Sequence, residues 1–127
     1  MFASEIMTHK VYTTSPEARV QEVAQLLDRE RISGVPVISD NGQLIGIITE
    51  ADIIRCMYRD DLKVAEIMSR QVVTVEENTP VSDIAYLLNE RKIKRVPVLK
   101  NGQVVGIVSR ADIVHAVAQG HLILRPW

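Results

Sequence analysis

Two short motifs carry the side chains best suited to chemistry. They are Thr49-Glu50-Ala51-Asp52 and Ser109-Arg110-Ala111-Asp112, each a hydroxyl and a carboxylate three residues apart. Each follows an apolar, β-prone run and precedes a helical stretch, so the hydroxyl falls where a strand becomes a helix. The spacing supports two readings with the same geometry. In one, a capping box, the hydroxyl accepts from the amide three residues on and the acid satisfies the helix start. In the other, the free amides and positive potential of the helix start attract a phosphate, and the carboxylate accepts from paired sugar hydroxyls. No set of nucleophile, base and orienting group is visible, so binding is favoured over catalysis.

The motifs are equivalent because the chain says nearly everything twice. Ile6-Met7-Thr8 returns as Ile67-Met68-Ser69, Val35-Pro36-Val37 as Val96-Pro97-Val98, Gly46-Ile47 as Gly106-Ile107, and Ala51-Asp52-Ile53 as Ala111-Asp112-Ile113. The displacement is 61 residues up to Ile38 and 60 from Asp40 onward, which makes Ser39 the one-residue slip. A repeat of this length is a supersecondary unit duplicated and packed on itself. We divide the chain into a first motif over 1–60 and a second over 61–127, the natural unit being the pair.

The elements repeat too. Val11-Tyr12-Thr13-Thr14 is β-prone, and Ser15-Pro16 reads as an N-cap with proline at the first helical position. Val20, Val23, Ala24 and Leu27 then form one apolar face; Thr79-Pro80 opens the matching helix, with Val81, Ile84, Ala85 and Leu88 inward. Each helix leads to a β-run around Val-Pro-Val, an Asn-Gly turn at Asn41-Gly42 or Asn101-Gly102, and a second β-run, a strong hairpin signal. Apolar residues on both parities of the second run predict burial on both faces. Pro36 and Pro97 lack an amide hydrogen and are expected at a strand start or an unpaired edge. Closing helices are predicted from about Glu50 to Tyr58 and Arg110 to Gln119, giving the order β-α-β-β-α twice, with Arg59 to Lys63 as a short linker. The apolar tail His121 to Trp127 lies outside the repeat and is expected to pack on the body or a second subunit.

Composition limits the partners. The chain has 127 residues, 46% of them hydrophobic, which excludes disorder. A formal net charge of -1 gives no global attraction to nucleic acid or anionic lipid, so any anion site must be local. Cys56 is the only cysteine, so no intramolecular disulfide forms and a reducing cytoplasm fits best. No apolar run nears membrane-spanning length, and the N-terminus lacks the features of a secretory signal. His9, His115, His121 and Cys56 show no metal-ligand spacing, so no metal is expected.

The opening Ile-Met-Thr/Ser, the Val-Pro-Val after an amphipathic helix, and the paired Gly-Ile-Ile-Thr-Glu-Ala-Asp-Ile and Gly-Ile-Val-Ser-Arg-Ala-Asp-Ile resemble the tandem CBS domain, or Bateman module. The resemblance covers nearly the whole chain. It implies an α+β fold of two β-α-β-β-α motifs joined through their sheets as a pseudo-two-fold pair that commonly dimerises. It also implies a stand-alone, non-catalytic regulatory module that requires no cofactor. The regulatory ligand would be AMP, ADP, ATP or S-adenosylmethionine, held in clefts between motifs. By the same resemblance one cleft combines Thr49 and Asp52 with Ser69, Val72, Lys94, Arg95, Val96 and Pro97. The other combines Ser109 and Asp112 with Thr8, Val11, Ser33, Gly34, Val35 and Pro36. Apolar side chains would sandwich the adenine while backbone groups read its edge. The alternative is a ligand-independent module for homodimerisation and partner docking.

The two copies differ in charge. Arg91-Lys92-Ile93-Lys94-Arg95 stands where the first copy has Glu30-Arg31-Ile32-Ser33-Gly34. These cations either complement the end of a solvated helix or neutralise a phosphate chain, which suits a guanidinium fork. On the second reading the cleft with Lys94 and Arg95 is the favoured nucleotide site, and the cleft near Arg110 takes a less charged ligand or none. Met7 and Met68 read first as core gap-fillers and second as stacking surfaces for adenine.

Overall fold

In the computed structural model, which describes residues 1–122, the elements run α1 (Ala3–Ile6), α2 (Val20–Glu30), β1 (Gly34–Ile38), β2 (Leu44–Thr49), α3 (Glu50–Arg55), α4 (Val64–Ile67), β3 (Val75–Glu76), α5 (Val81–Glu90), β4 (Arg95–Lys100), β5 (Gln103–Ser109) and α6 (Arg110–Ala118). This is a mixed α+β fold. The chain forms two compact units, one from Tyr12 to Val72 and the other from Met1–Val11 together with the chain from Val73 onward. The opening segment of each copy therefore belongs with the body of the other. Among the described residues no helix is long and apolar enough to cross a membrane.

In the Tyr12–Val72 unit, β1 and β2 pair antiparallel from Gly34 opposite Thr49 to Ile38 opposite Leu44. The inward residues of α2, Val23 and Leu27, meet Val35, Val37 and Ile48 in one core, and Val64 and Met68 from the α4 segment complete it. Burying each such side chain stabilises by about 1.5–3 kcal/mol. In the other unit the sheet order is β3-β4-β5, and Ile84, Leu88, Val96, Val98 and Val108 are buried with Ala3 and Val75. The two cores use equivalent repeat positions: Ile84 answers Val23, Leu88 answers Leu27, and Val108 answers Ile48.

Several boundaries depart from the sequence reading. The first long helix begins at Val20 with Arg19 as its cap, not after Ser15-Pro16. By the repeat it is Arg19, not Pro16, that corresponds to Pro80, the cap of α5. Ser15 to Ala18 instead form a turn, closed by the Ala18 amide donating to the Ser15 carbonyl at 3.2 Å. The carbonyls of Pro16 and Ala18 then accept from Ala65 and Val64, which ties this turn to α4. The strand expected at Val11 to Thr14 shrinks to one bridge, Thr14 to Val37.

Pro36 sits mid-strand rather than at a strand start; its carbonyl accepts from the Thr14 amide, so its missing donor faces the side where β1 has only that bridge. Pro97 lies within the central strand of its sheet. The second strands are fully buried at Gly46 and Ile48, and at Gly106 and Val108, but on the opposite parity they are half-buried or, at Gln103, exposed. α3 ends at Arg55, short of Tyr58, which has a φ of 71° in the turn that follows. The short helices α1 and α4 add to the elements expected from the sequence; each is capped at its start by an acid three residues on, the Glu5 carboxylate accepting from the Phe2 amide and Glu66 from the Lys63 amide. Of the tail, Ile123 to Trp127 lie outside the described residues.

The one-residue slip at Ser39 is a difference in turns. In the second copy Asn101 and Gly102 alone join Lys100 to Gln103, both with positive φ, as a two-residue primed turn requires. In the first copy five residues, Ser39 to Gln43, close the hairpin.

Candidate functional site

In the unit that begins at Met1, β5 delivers Ser109 to the start of α6 with an extended backbone, and the capping box forms. The Asp112 carboxylate divides its work between its two oxygens. Oδ2 accepts from the Ser109 amide at 2.8 Å and the Ser109 hydroxyl at 3.0 Å, while that hydroxyl accepts from the Asp112 amide at 3.2 Å. Oδ1 accepts from the Thr8 hydroxyl at 3.1 Å, across 104 residues of sequence. Thr8 is held there by a reciprocal pair of backbone bonds with Ile107 at 2.8 and 3.0 Å. The capping and ligand readings are thus compatible in one residue, because only one oxygen is spent on the cap.

The Tyr12–Val72 unit repeats the frame with two changes. Asp52 Oδ2 accepts from the Thr49 amide at 2.9 Å and the Thr49 hydroxyl at 3.1 Å, and the Thr49 hydroxyl accepts from the Asp52 amide at 3.4 Å. Ser69, the counterpart of Thr8, is placed by the same two backbone bonds, here to Ile47 at 2.9 Å each. Its hydroxyl, however, donates to the Gln71 carbonyl at 3.4 Å. The second oxygen of Asp52 is taken instead by the Arg55 guanidinium. Sequence reasoning missed Arg55, although a cation three residues after the acid on one helix was the available signal.

Hairpin register decides the remaining neighbours. Gly34 lies opposite Thr49, and the Ser33 carbonyl accepts from the Glu50 amide at 2.9 Å. Arg95 lies opposite Ser109, and the Lys94 carbonyl accepts from the Arg110 amide at 3.0 Å. Lys94, Arg95, Val96 and Pro97 therefore share a unit with Ser109, Asp112, Thr8 and Val11. Ser33, Gly34, Val35 and Pro36 share the other with Thr49, Asp52, Ser69 and Val72. The preference for Thr49 and Asp52 as the phosphate site rested on Lys94 and Arg95, which stand beside Ser109. Side-chain size follows this register: a β-carbon on Gly34 would come within 3.0 Å of the Thr49 methyl, whereas Arg95 faces the smaller Ser109. The Arg110 guanidinium is occupied by the carbonyls of Ile93 and Leu88 at 3.0 and 3.2 Å. Met7 and Met68 pack against the cores, over Gly106 and Gly46.

A model of the CBS domain matches residues 3–59 and 64–119. The chain belongs to the CBS domain family. Solved CBS domain pairs share its fold. That of protein MJ0100, solved in complex with 5′-methylthioadenosine and S-adenosyl-L-methionine, is 30% identical with a TM-score of 0.85, over 94% of this chain and 98% of that one. CBSX2, solved in complex with AMP, is 26% identical with a TM-score of 0.87, over 95% and 98%. Among curated proteins, the L-aspartate semialdehyde sulfurtransferase of Methanocaldococcus jannaschii is 33% identical over 110 residues, 86% of this chain and 22% of that protein. This CBS pair thus spans well under half the length of that relative. CBS pairs similar to this one bind adenosine-containing molecules.

Proposed function

We propose that this CBS pair is a non-catalytic regulatory module that senses an adenosine-containing ligand, AMP, ADP, ATP or S-adenosylmethionine, and requires no cofactor. The observation that carries the reading is the Thr8 hydroxyl on Asp112 Oδ1. That oxygen is not needed by the cap, lies beside a helix start, and is reached only because the first copy's opening segment docks on the second copy's hairpin. A ribose diol is the ligand group that such a carboxylate and hydroxyl would hold, and Lys94 and Arg95 on the neighbouring strand supply charge for a phosphate. Thr49, Asp52 and Ser69 with Ser33 and Gly34 form the counterpart in the other unit. The complexes of MJ0100 and CBSX2 support the ligand class.

Occupancy would reshape a homodimer in the cytoplasm and so regulate a separate protein. Exposed Ile54, Met57 and Tyr58 in one unit and Val114 in the other supply apolar surface for assembly. A ligand that binds only the folded state adds about 2.7 kcal/mol of stability at a hundredfold excess over its Kd. Thermal melting with each of the four compounds tests the reading, and Asp112→Ala should abolish the largest shift. If none of them moves the melting curve, the sensor reading falls. The same exposed residues favour a second reading, a ligand-independent docking module. It predicts a dimer by light scattering whose melting is indifferent to nucleotides.

A further inference from the structure

The two copies treat their aspartates differently: the hydroxyl of the opening segment reaches Asp112 from Thr8 but turns away from Asp52 at Ser69, and Arg55 takes its place. Asp52 and Asp112 have identical caps on one oxygen, but the other oxygen meets a guanidinium in one unit and a hydroxyl in the other. The position that carries Arg55 in the first copy carries His115 in the second.

We infer that Arg55 is an internal lock on the Asp52 site, a specificity-determining residue that leaves the Asp112 site as the one that binds. The inference rests on the adenosine-sensor reading. The Asp52 side chain is only 7% exposed, while that of Arg55 is 69% exposed, so the guanidinium reaches in from solvent to cover a buried carboxylate. A ribose diol approaching Asp52 Oδ1 has to displace a charged donor and offers two neutral ones in return. Charge-assisted bonds are the stronger kind, so the exchange is unfavourable. At Asp112 the competing donor is a hydroxyl, which rotates about its C–O bond and can keep a bond to the ligand after giving up the carboxylate. Ser69 does not assist at Asp52, because its hydroxyl is committed to the Gln71 carbonyl. Arg55 thereby sets which of two similar sites responds to ligand.

Titration calorimetry with AMP and, separately, S-adenosylmethionine tests this on the whole chain. The wild-type protein should bind one equivalent tightly, and Arg55→Gln should bind a second with at least a tenfold gain at that site. The double variant Asp112→Ala with Arg55→Gln should retain one site, which Asp112→Ala alone lacks. Reciprocally, His115→Arg should weaken the single wild-type site by about tenfold. Two equal sites in the wild type, or an unchanged single site in Arg55→Gln, overturns the lock while leaving the sensor reading in place. Loss of binding in Arg55→Gln overturns it too, by making Arg55 a ligand anchor. No binding of either compound by any of these proteins defeats the sensor reading and the lock together.

Discussion

Met68 lies across Gly46, its sulfur 2.8 Å from where a β-carbon on that glycine would stand, and the Ser69 carbonyl oxygen is equally close. The contact fixes how the Ile67-Met68-Ser69 segment seats on β2 and therefore where Ser69 points. In the other unit Met7 covers Gly106, but there the nearest atoms to such a carbon all belong to the Met7 side chain. The Met7 sulfur can swing aside, but its Cγ at 2.8 Å and Cβ at 3.1 Å lie close to the backbone and have less freedom, and the Ser69 carbonyl is held by the Ile47 amide. Gly46→Ala and Gly106→Ala should therefore each cost about 1–3 kcal/mol. Urea denaturation of both variants checks this, and an unchanged stability in either would show that its methionine yields freely.

The split use of the Asp112 carboxylate separates stability from binding. Ser109→Ala removes the cap hydroxyl and should lower stability by about 1 kcal/mol. Thr8→Val leaves the cap intact at an exposed position and should change stability by less than about 0.5 kcal/mol. It should nevertheless weaken AMP about fivefold, the worth of one hydrogen bond of about 1 kcal/mol. Denaturation and AMP titration on both variants decide it. A Thr8→Val protein that melts early yet binds AMP normally would leave the Thr8 bond with a structural role only.

The repeat made much of the fold legible, because periodicity, Asn-Gly turns and the Thr/Ser-x-x-Asp motifs are local signals. The inward faces of α2 and α5 follow from spacing alone. Pro16 misled because it resembles Pro80 chemically while the register places Arg19 there. The grouping of Lys94 and Arg95 was less accessible, since hairpin register and not sequence distance sets which residue faces Ser109. Arg55 was hidden for a different reason: its role shows only when the carboxylate's two oxygens are counted separately.

Lys92 and its counterpart Arg31 both have a φ of 54°, a left-handed conformation just past a helix. The next residue closes the helix end in each case, the Ile93 amide donating to Leu88 at 3.0 Å and Ile32 to Leu27 at 3.1 Å. Glycine takes this conformation without the steric cost of a β-carbon. Lys92→Gly should therefore stabilise by about 0.5–1 kcal/mol despite the added freedom of the unfolded chain. Chemical denaturation reads the gain. A loss of stability would show that the Lys92 side chain contributes more than its strained backbone costs.

Charge near the start of α6 should sort ligands by their phosphates. The Lys94 backbone is fixed by its bond to the Arg110 amide while its side chain is exposed, and the Arg110 guanidinium is turned to the carbonyls of Ile93 and Leu88. Lys94 is thus better placed than Arg110 to meet a phosphate tail. Exposed charge contacts are individually modest and screened by salt. Lys94→Ala should then weaken ATP a few-fold, AMP less, and S-adenosylmethionine by no more than about twofold, with the ATP effect shrinking as salt is raised. Titrations of the three compounds at low and high salt measure the series. If S-adenosylmethionine loses as much affinity as ATP, Lys94 acts on the shared adenosine rather than on phosphate, and the cations beside Ser109 lose their assigned role.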